Sequence, residues 1–351
     1  MNDKKSIKVL IVDDSALVRT LLTEILQSEP AIEVVGAAQD PYEAREMIKQ
    51  LSPDVLTLDI EMPKMNGIAF LSNLMRLRPM PVVMISTLTH AGAPATLEAL
   101  ELGAVDFLPK PKGESGTSLS DYRATIISKV RAAASANLAG RDNAWLDQTP
   151  VKASEGQLRA NFMCAIGAST GGTEAIKEVL RVMPKQSPPM VIAQHIPAAF
   201  SSSFAERLDG CSEIKVFEAE DQQPIRAGCA YLAPGDKHLV VERSSYGHVC
   251  RLLDTDPVNR HKPSVEVLFD SVKEVMGKNA MGVMLTGMGA DGAEALLRMK
   301  RAGAVTVAQD ENTSVVWGMP GAAVKLGAAD KVLPLNRIAS QIVNVAYGKS
   351  V

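Results

Sequence analysis

The stretch MCAIGASTGG, Met163 to Gly172, decides how the second half of the chain is read. An apolar run leads into a turn of small residues, and helical spacing follows from Gly172 to Val182. The expected unit is therefore strand, tight turn, helix. Three readings fit such a turn. Gly167, Ser169 and Gly171 match the G-x-S-x-G pattern of a nucleophile elbow. The loop amides could instead cradle a nucleotide phosphate. The string is also compatible with an ordinary strand-to-helix turn, so its flanks must choose.

Working outward from this turn, the alternation of element types continues on both sides. Beyond it, strands are expected at Ala160–Ile166, Met190–His195, Ile214–Glu218, Ala230–Ala233, Leu239–Glu242, His248–Leu253, Ala280–Thr286 and Ala304–Ala308. Helices are expected at Gly172–Val182, Ala199–Leu208, Val265–Val275, Asp291–Ala302 and Ala339–Ala346. Before it, apolar runs at Ile7–Val12, Ala31–Ala38, Asp54–Ile60, Pro81–Ser86 and Ala104–Pro109 alternate with helical patterns, a last one at about Ser118–Ala136. Five strands alternating with helices predict a doubly wound parallel sheet. AGRDNAWLDQTPVKASEGQL, Ala139–Leu158, has no periodicity and reads as an interdomain linker, with Trp145 as a residue that could dock on one domain. The expectation is an α/β protein of two domains, with a second, mostly parallel sheet after the linker.

The 351 residues suit two domains, and 46% hydrophobic content supplies two cores. A net charge of −3 gives no electrostatic support for nucleic-acid binding. Cys164, Cys211, Cys229 and Cys250 form no C-x-x-C pair, so neither a zinc site nor a disulfide framework is indicated. No apolar run reaches the roughly 18 residues of a membrane helix. The expectation is a cytoplasmic protein without direct membrane insertion.

In the first half, Asp13 and Asp14 follow the first strand, Asp59 ends the third, Ser86 ends the fourth and Lys110 follows the fifth. The carboxyl ends of parallel strands share one edge, where ligands bind. Three carboxylates gathered there need a counter-charge, and a hard divalent cation such as Mg²⁺ fits. Lys110 adds positive charge. VLIVDDS, LDIEMPKMNG, MIST and the KP after FLP resemble a response-regulator receiver domain, of flavodoxin-like fold, over residues 6–124. That resemblance implies that Asp59 accepts a phosphoryl group from a sensor histidine kinase. It further implies that Asp13 and Asp14 hold Mg²⁺ with Asp59, that Ser86 and Lys110 contact the phosphoryl oxygens, and that Phe107 is the switching aromatic.

The flanks of the opening stretch argue against a nucleotide loop. An acidic ribose ligand is expected near the end of the next strand, about 20 residues on. That strand ends in Ala193–His195, without a carboxylate. The Tyr-x-x-x-Lys pair of short-chain dehydrogenases is missing at all five tyrosines. A serine nucleophile needs a base, and the base needs a carboxylate to hold its tautomer. His195 ends a neighbouring strand, and Asp291 lies just past another, in LTGMGADGAEA. Gly287, Gly289 and Gly292 allow close backbone approach there. The order Ser, His, Asp differs from that of α/β-hydrolases.

IGASTGG, QHIP, APGDKHL, HKPSVEVLF, LTGMGADGA and AQDENTSVVWGMPGAA, spread over residues 159–346, resemble the chemotaxis-specific protein-glutamate methylesterases, which are also protein-glutamine deamidases. The resemblance implies a receiver at 6–124, a helix end and linker at 125–158, and a catalytic domain at 159–346. By it, Ser169 attacks the side-chain carbonyl of a methylated glutamate on a chemoreceptor, His195 is general base and then acid, and Asp291 orients His195. A backbone amide near Met288 would face the oxyanion, Thr170 lines the site, and the catalytic domain needs no cofactor. The receiver is expected to cover the catalytic edge until Asp59 is phosphorylated. Rival readings are a non-catalytic interaction module, a transcriptional regulator, and a hydrolase of methyl esters outside chemotaxis.

Overall fold

The computed structural model describes residues 6–63, 65–86, 92–110, 119–138, 150–151 and 156–348. The chain divides into two compact units, Met1–Leu138 and Ala139–Val351. Most of the expected linker, Trp145 included, lies outside the described residues.

The first unit holds five strands, β1 (Ile7–Val12), β2 (Ile32–Ala38), β3 (Val55–Asp59), β4 (Val82–Ser86) and β5 (Asp106–Pro109). They form one sheet in the order β2-β1-β3-β4-β5, with every pair parallel. Helices α1 (Ala16–Gln27), α2 (Pro41–Leu51), α3 (Gly67–Leu77), α4 (Ala93–Leu102) and α5 (Leu119–Ala134) alternate with them. Local capping sets the starts. The Asp40 carboxylate accepts from the amides of Tyr42 and Glu43 at 3.0 Å each, and the Asn66 side chain accepts from the Ala69 amide at 2.8 Å. Residues of β3 and β4 are buried throughout, as a sheet covered on both faces requires.

In the second unit, β6 (Met163–Ala168), α6 (Gly172–Arg181), β7 (Met190–Gln194), α7 (Ala198–Cys211), β8 (Lys215–Glu218) and β9 (Cys229–Leu232) follow one another. A hairpin, β10 (His238–Ser244) and β11 (Gly247–Leu253), precedes α8 (Val265–Met276). Then come β12 (Ala280–Met284), α9 (Ala293–Arg301), β13 (Val305–Gln309), α10 (Met319–Lys325), β14 (Lys331–Leu333) and α11 (Leu335–Ala346). Seven strands form a wholly parallel sheet, β14-β13-β12-β6-β7-β9-β8. The other two pair only with each other, antiparallel. Two of the eight expected strands thus leave the main sheet, and an unexpected edge strand, β14, joins it.

The chain proceeds from β6 outward to β7 on one side and returns to lay β12 on the other. The order therefore switches beside β6, and the carboxyl ends there flank the crevice where open α/β sheets bind ligands. Helix α8 packs against β6, β7, β10 and α9. Its Val265, Leu268, Phe269 and Val272 lie in the core under that crevice.

Several boundaries differ from expectation, the helix expected at Ala339–Ala346 starting already at Leu335, and three of the differences have local reasons. The strand expected from Ala160 starts at Met163, after Asn161 at φ 55°. The strand expected to reach Thr286 stops at Met284. Beyond it the Thr286 hydroxyl donates to the carbonyls of Thr170 (3.0 Å) and Val316 (3.1 Å) and accepts from the Val316 amide (2.9 Å). The helix expected from Asp291 starts at Ala293, because Gly292 is left-handed at φ 83°. Asp291 therefore stands outside its helix.

Candidate active site

Strand β6 delivers Ser169 to the crevice, one residue beyond its end and just before α6. Gly171 takes φ 76°, which a side chain would resist. The Ser169 amide donates to the Thr286 carbonyl at 3.0 Å, tying the turn after β6 to the turn after β12. Gly287 completes that tie. A methyl group on it would stand 2.8 Å from Ser169 Cβ and 3.0 Å from the Ser169 amide nitrogen. Only glycine lets the Gly287–Gly289 loop lie this close, and Met288 is carried on it.

His195 follows β7, and its amide donates to the Ala168 carbonyl at 3.1 Å. The preceding Gln194 is buried, and its Nε2 donates to the carbonyls of both Ser169 (3.0 Å) and His195 (3.1 Å). The Ser169 and His195 backbones are thereby set against each other. His195 Nε2 lies 2.9 Å from Asp291 Oδ2. A carboxylate can only accept, so Nε2 carries the hydrogen and the neutral ring presents Nδ1 as the bare base. Nδ1 is buried and without a hydrogen-bond partner. No hydrogen bond joins it to Ser169, a gap common in catalytic sites without substrate.

Asp291 is the most heavily bonded side chain of the site. Its Oδ1 accepts from Asn259 Nδ2 (2.9 Å), Ser264 Oγ (2.8 Å) and the Glu266 amide (3.4 Å). Its Oδ2 accepts from His195 and from the Val265 amide at 2.7 Å. Burial alone would raise its pKa. The hydrogen bond from His195 and the charge that ring carries once protonated, with the bonds from Asn259 and Val265, outweigh that and bring it to about 2. The amides belong to the first turn of α8, whose N-terminus favours an anion.

Thr170 is buried beside Ser169, and Met288 is half-buried on the opposing loop. Sequence reasoning assigned no role to Gln194, Asn259, His261 or Ser264. Gln194, His261 and Ser264 stood inside the motifs QHIP and HKPSVEVLF without a partner to reveal them. Asn259 had no signal at all, because its contact spans 32 residues.

The edge of the first sheet gathers the expected acidic group. Asp13, Asp14 and Asp59 each offer an oxygen within 4.8 Å of the others. Lys110 Nζ lies 2.7 Å from Asp59 Oδ2 and 3.4 Å from Asp13 Oδ2. Asp13 Oδ1 accepts from the Ser15 amide (2.9 Å), while its Oδ2 is buried without a hydrogen bond. An all-oxygen set, with a buried Asp13 oxygen met only by the long Lys110 contact, suits a hard divalent cation. Burial, together with the Asp13 charge, pushes the Asp59 carboxyl up to about 6 against the lowering contact of Lys110. Ser86 is buried and accepts from Thr96 Oγ1 at 3.2 Å. Phe107 is buried, with Lys129 Nζ 5.9 Å from its ring centroid. Ser15, rather than Asp14, caps α1, through a 3.5 Å bond from the Val18 amide.

A phospho-acceptor type of acidic edge in one unit, and a serine, histidine and aspartate at the switch point of the other, define a response regulator whose output domain has the makings of a hydrolase. The chain belongs to the CheB methylesterase family: the description of that family fits residues 164–342, and that of the response regulator receiver domain fits residues 9–116. The protein-glutamate methylesterase/protein-glutamine glutaminase 2 of Saccharophagus degradans is 63% identical over 345 residues, covering 97% of this chain and 99% of that protein. The corresponding enzyme of Hydrogenovibrio crunogenus is 53% identical over 368 residues, covering 96% and 98%. Among solved structures, the Thermotoga maritima CheB methylesterase catalytic domain matches with a TM-score of 0.52 and 35% identity, covering 53% of this chain and all of that one. No helix among the described residues is long and apolar enough to cross a membrane.

Proposed function

We propose that the protein is a serine hydrolase that demethylates glutamate methyl esters on chemotaxis receptors and deamidates receptor glutamines, and that phosphorylation of Asp59 raises its output. The observation that carries the reading is the His195–Asp291 bond of 2.9 Å, which leaves Nδ1 as the open base on a residue whose backbone carbonyl Gln194 Nε2 links to the Ser169 carbonyl. Enzymes named for both activities align with this chain over nearly its whole length.

In the proposed cycle His195 Nδ1 takes the Ser169 proton as Oγ bonds to the ester carbonyl carbon. The carbonyl electron pair moves to oxygen. The oxyanion is met by a backbone amide near Met288, beside Thr170, a donor worth roughly 2.7–4 kcal/mol in such sites. The C–O bond to the methoxy group then breaks, and His195 returns the proton so that methanol leaves. Water, deprotonated by the same nitrogen, cleaves the Ser169 acyl ester and frees the glutamate. A glutamine amide follows the same path with ammonia leaving, more slowly because amides acylate less readily than esters. Throughout, Asp291 stays ionised and stabilises the imidazolium.

In the first unit, Asp13, Asp14 and Asp59 would hold Mg²⁺, which when bound neutralises phosphoryl oxygens during transfer. Asp59 accepts the phosphoryl group from a sensor histidine kinase, while Lys110 and Ser86 contact its oxygens. The added charge of roughly −1.5 to −2 changes the balance around Lys110 and sets the switch in which Phe107 takes part. A sensor kinase as phosphodonor and chemotaxis receptors as substrates imply a cytoplasmic protein. A fluorophosphonate probe tests the nucleophile: peptide mapping should find Ser169 labelled in wild type and much less in His195→Ala. Labelling of another serine would refute the assignment.

A further inference from the structure

The His195 ring is fixed by surprisingly few polar bonds. Nε2 meets Asp291, and Nδ1 meets nothing. One hydrogen bond sets the direction of a ring nitrogen but leaves the ring free to tilt about it. Against the face of that ring lies a second imidazole. His261 lies flat on His195, with ring centroids 3.7 Å apart and planes 9° apart.

The backbone that brings His261 there is specialised for the purpose. Val258 and His261 exchange both backbone hydrogen bonds, at 3.1 and 2.9 Å, and close a two-residue turn. Its central residues, Asn259 and Arg260, both have positive φ, 53° and 67°. Asparagine tolerates that region, and the two-residue turn demands it of Arg260 too, where a side chain adopts it at a cost. Strained residues of this kind persist where surrounding structure over-determines them, and they cluster at functional sites. The turn delivers two side chains at once, Asn259 to Asp291 Oδ1 and His261 to the His195 face. A fully buried histidine straps the segment from below. His238 Nε2 donates to the Asp256 carbonyl (3.0 Å), and its Nδ1 accepts from the Ser264 amide (3.1 Å).

We propose that His261 is a positioning residue for the methylesterase reaction, holding the plane of the His195 ring so that Nδ1 stays aimed at Ser169 through both proton transfers. The proposal rests on His195 being the base. The stack limits tilt without competing for either ring nitrogen, which a hydrogen-bonding neighbour would do. Productive geometry tolerates only about 10–20° of error, so a ring left to tilt would spend most of its time misaligned. The role needs a flat ring at position 261 and no exchangeable proton there.

The test is steady-state methanol release from methylated receptor membranes by full-length protein, comparing His261→Ala, His261→Phe, His195→Ala and wild type, with thermal unfolding of each. His261→Ala should lower kcat by about 100-fold while leaving KM within about twofold. His261→Phe, which keeps the flat ring, should recover kcat to within about tenfold of wild type. Retention of wild-type kcat by His261→Ala overturns the proposal. So does a folded His261→Phe that is no better than His261→Ala. Full activity in His195→Ala would instead remove the base assignment on which the proposal rests, so the two failures are distinguishable.

Discussion

Asp291 and Glu266 cap each other's helices. Asp291 accepts from the amides of Val265 and Glu266 at the start of α8, and Glu266 Oε2 accepts from the amides of Gly292 (3.1 Å) and Ala295 (3.4 Å) at the start of α9. Arg298 on α9 pairs with both Glu266 and Asp270 on α8, locking the two helices side by side. The carboxylate bonded to His195 is therefore held by a helix whose own first residues hold the carboxylate's helix in turn.

Glu266 is accordingly expected to matter for rate as well as stability. Glu266→Ala removes a cap and an Arg298 partner, at a cost of about 1–2 kcal/mol. In a domain of this size that lowers the melting temperature by roughly 2–6 °C, readable by calorimetry. Because Gly292 adjoins Asp291, kcat should fall severalfold. An unchanged kcat in the folded variant would show that Asp291 keeps its place without this reciprocal cap.

Asp291→Asn tests the orientation of His195. An amide cannot accept from His195, Asn259, Ser264 and the α8 amides together, and its own NH₂ would face a donor. The expected loss in kcat is about 10⁴-fold. Stability should carry a matching pH signature. The folded carboxyl, at about 2, lies below the roughly 3.9 of an unfolded aspartate. A depressed pKa contributes stability above the unfolded value and loses it as pH falls through the folded one. The wild-type advantage over Asp291→Asn, roughly 2 kcal/mol near neutrality from this source, should shrink between about pH 4 and pH 2. Denaturant unfolding at several pH values measures it, and a pH-independent difference would contradict the linkage.

Gly287→Ala probes the approach of two loops. The added methyl would stand 2.4 Å from Met319 Sδ and 2.8 Å from Ser169 Cβ. Methionine can move aside, but Ser169 is fixed by the hydrogen bond its amide donates to the Thr286 carbonyl. Overpacking of this kind costs about 1–3 kcal/mol. Displacing Ser169, the proposed nucleophile, should lower kcat by about 100-fold. The fluorophosphonate labelling rate of Ser169 reports that displacement directly.

Chelation separates the two units chemically. With EDTA, the rise in methanol release caused by a small phosphodonor should vanish, and excess Mg²⁺ should restore it, because Asp13, Asp14 and Asp59 are the only group among the described residues able to hold a metal. Basal release should be unchanged. A basal rate that falls with the metal would place a metal in the hydrolytic step.

Much of this was legible in the sequence where local signals are strong. Helices at Pro41–Leu51 and Gly67–Leu77 are bounded by capping residues, Asp40 and Asn66, that act within three positions. Ser169, His195 and Asp291 each follow an apolar strand, so their meeting at one edge follows from parallel topology alone. Other features depend on distant partners. Strand β14 has three partly exposed residues at a sheet edge, and α10 is a short stretch rich in Gly and Ala; neither carries a periodic signal. Asp291 looked like the first residue of a helix until the left-handed Gly292 placed it outside. The stack of His261 on His195 depends on a turn with two positive φ angles, one at an arginine, which no sequence rule anticipates.

The most direct test of the central claim is methanol release from methylated receptor membranes by wild type, Ser169→Ala and Asp59→Asn, each with and without a small phosphodonor and Mg²⁺. Loss of a triad nucleophile should cut turnover by roughly 10⁶-fold, so Ser169→Ala should release nothing measurable. Asp59→Asn should keep the basal rate and ignore the phosphodonor, while wild type accelerates. Methanol release that survives in Ser169→Ala would reduce Ser169 to a turn residue and contradict the account.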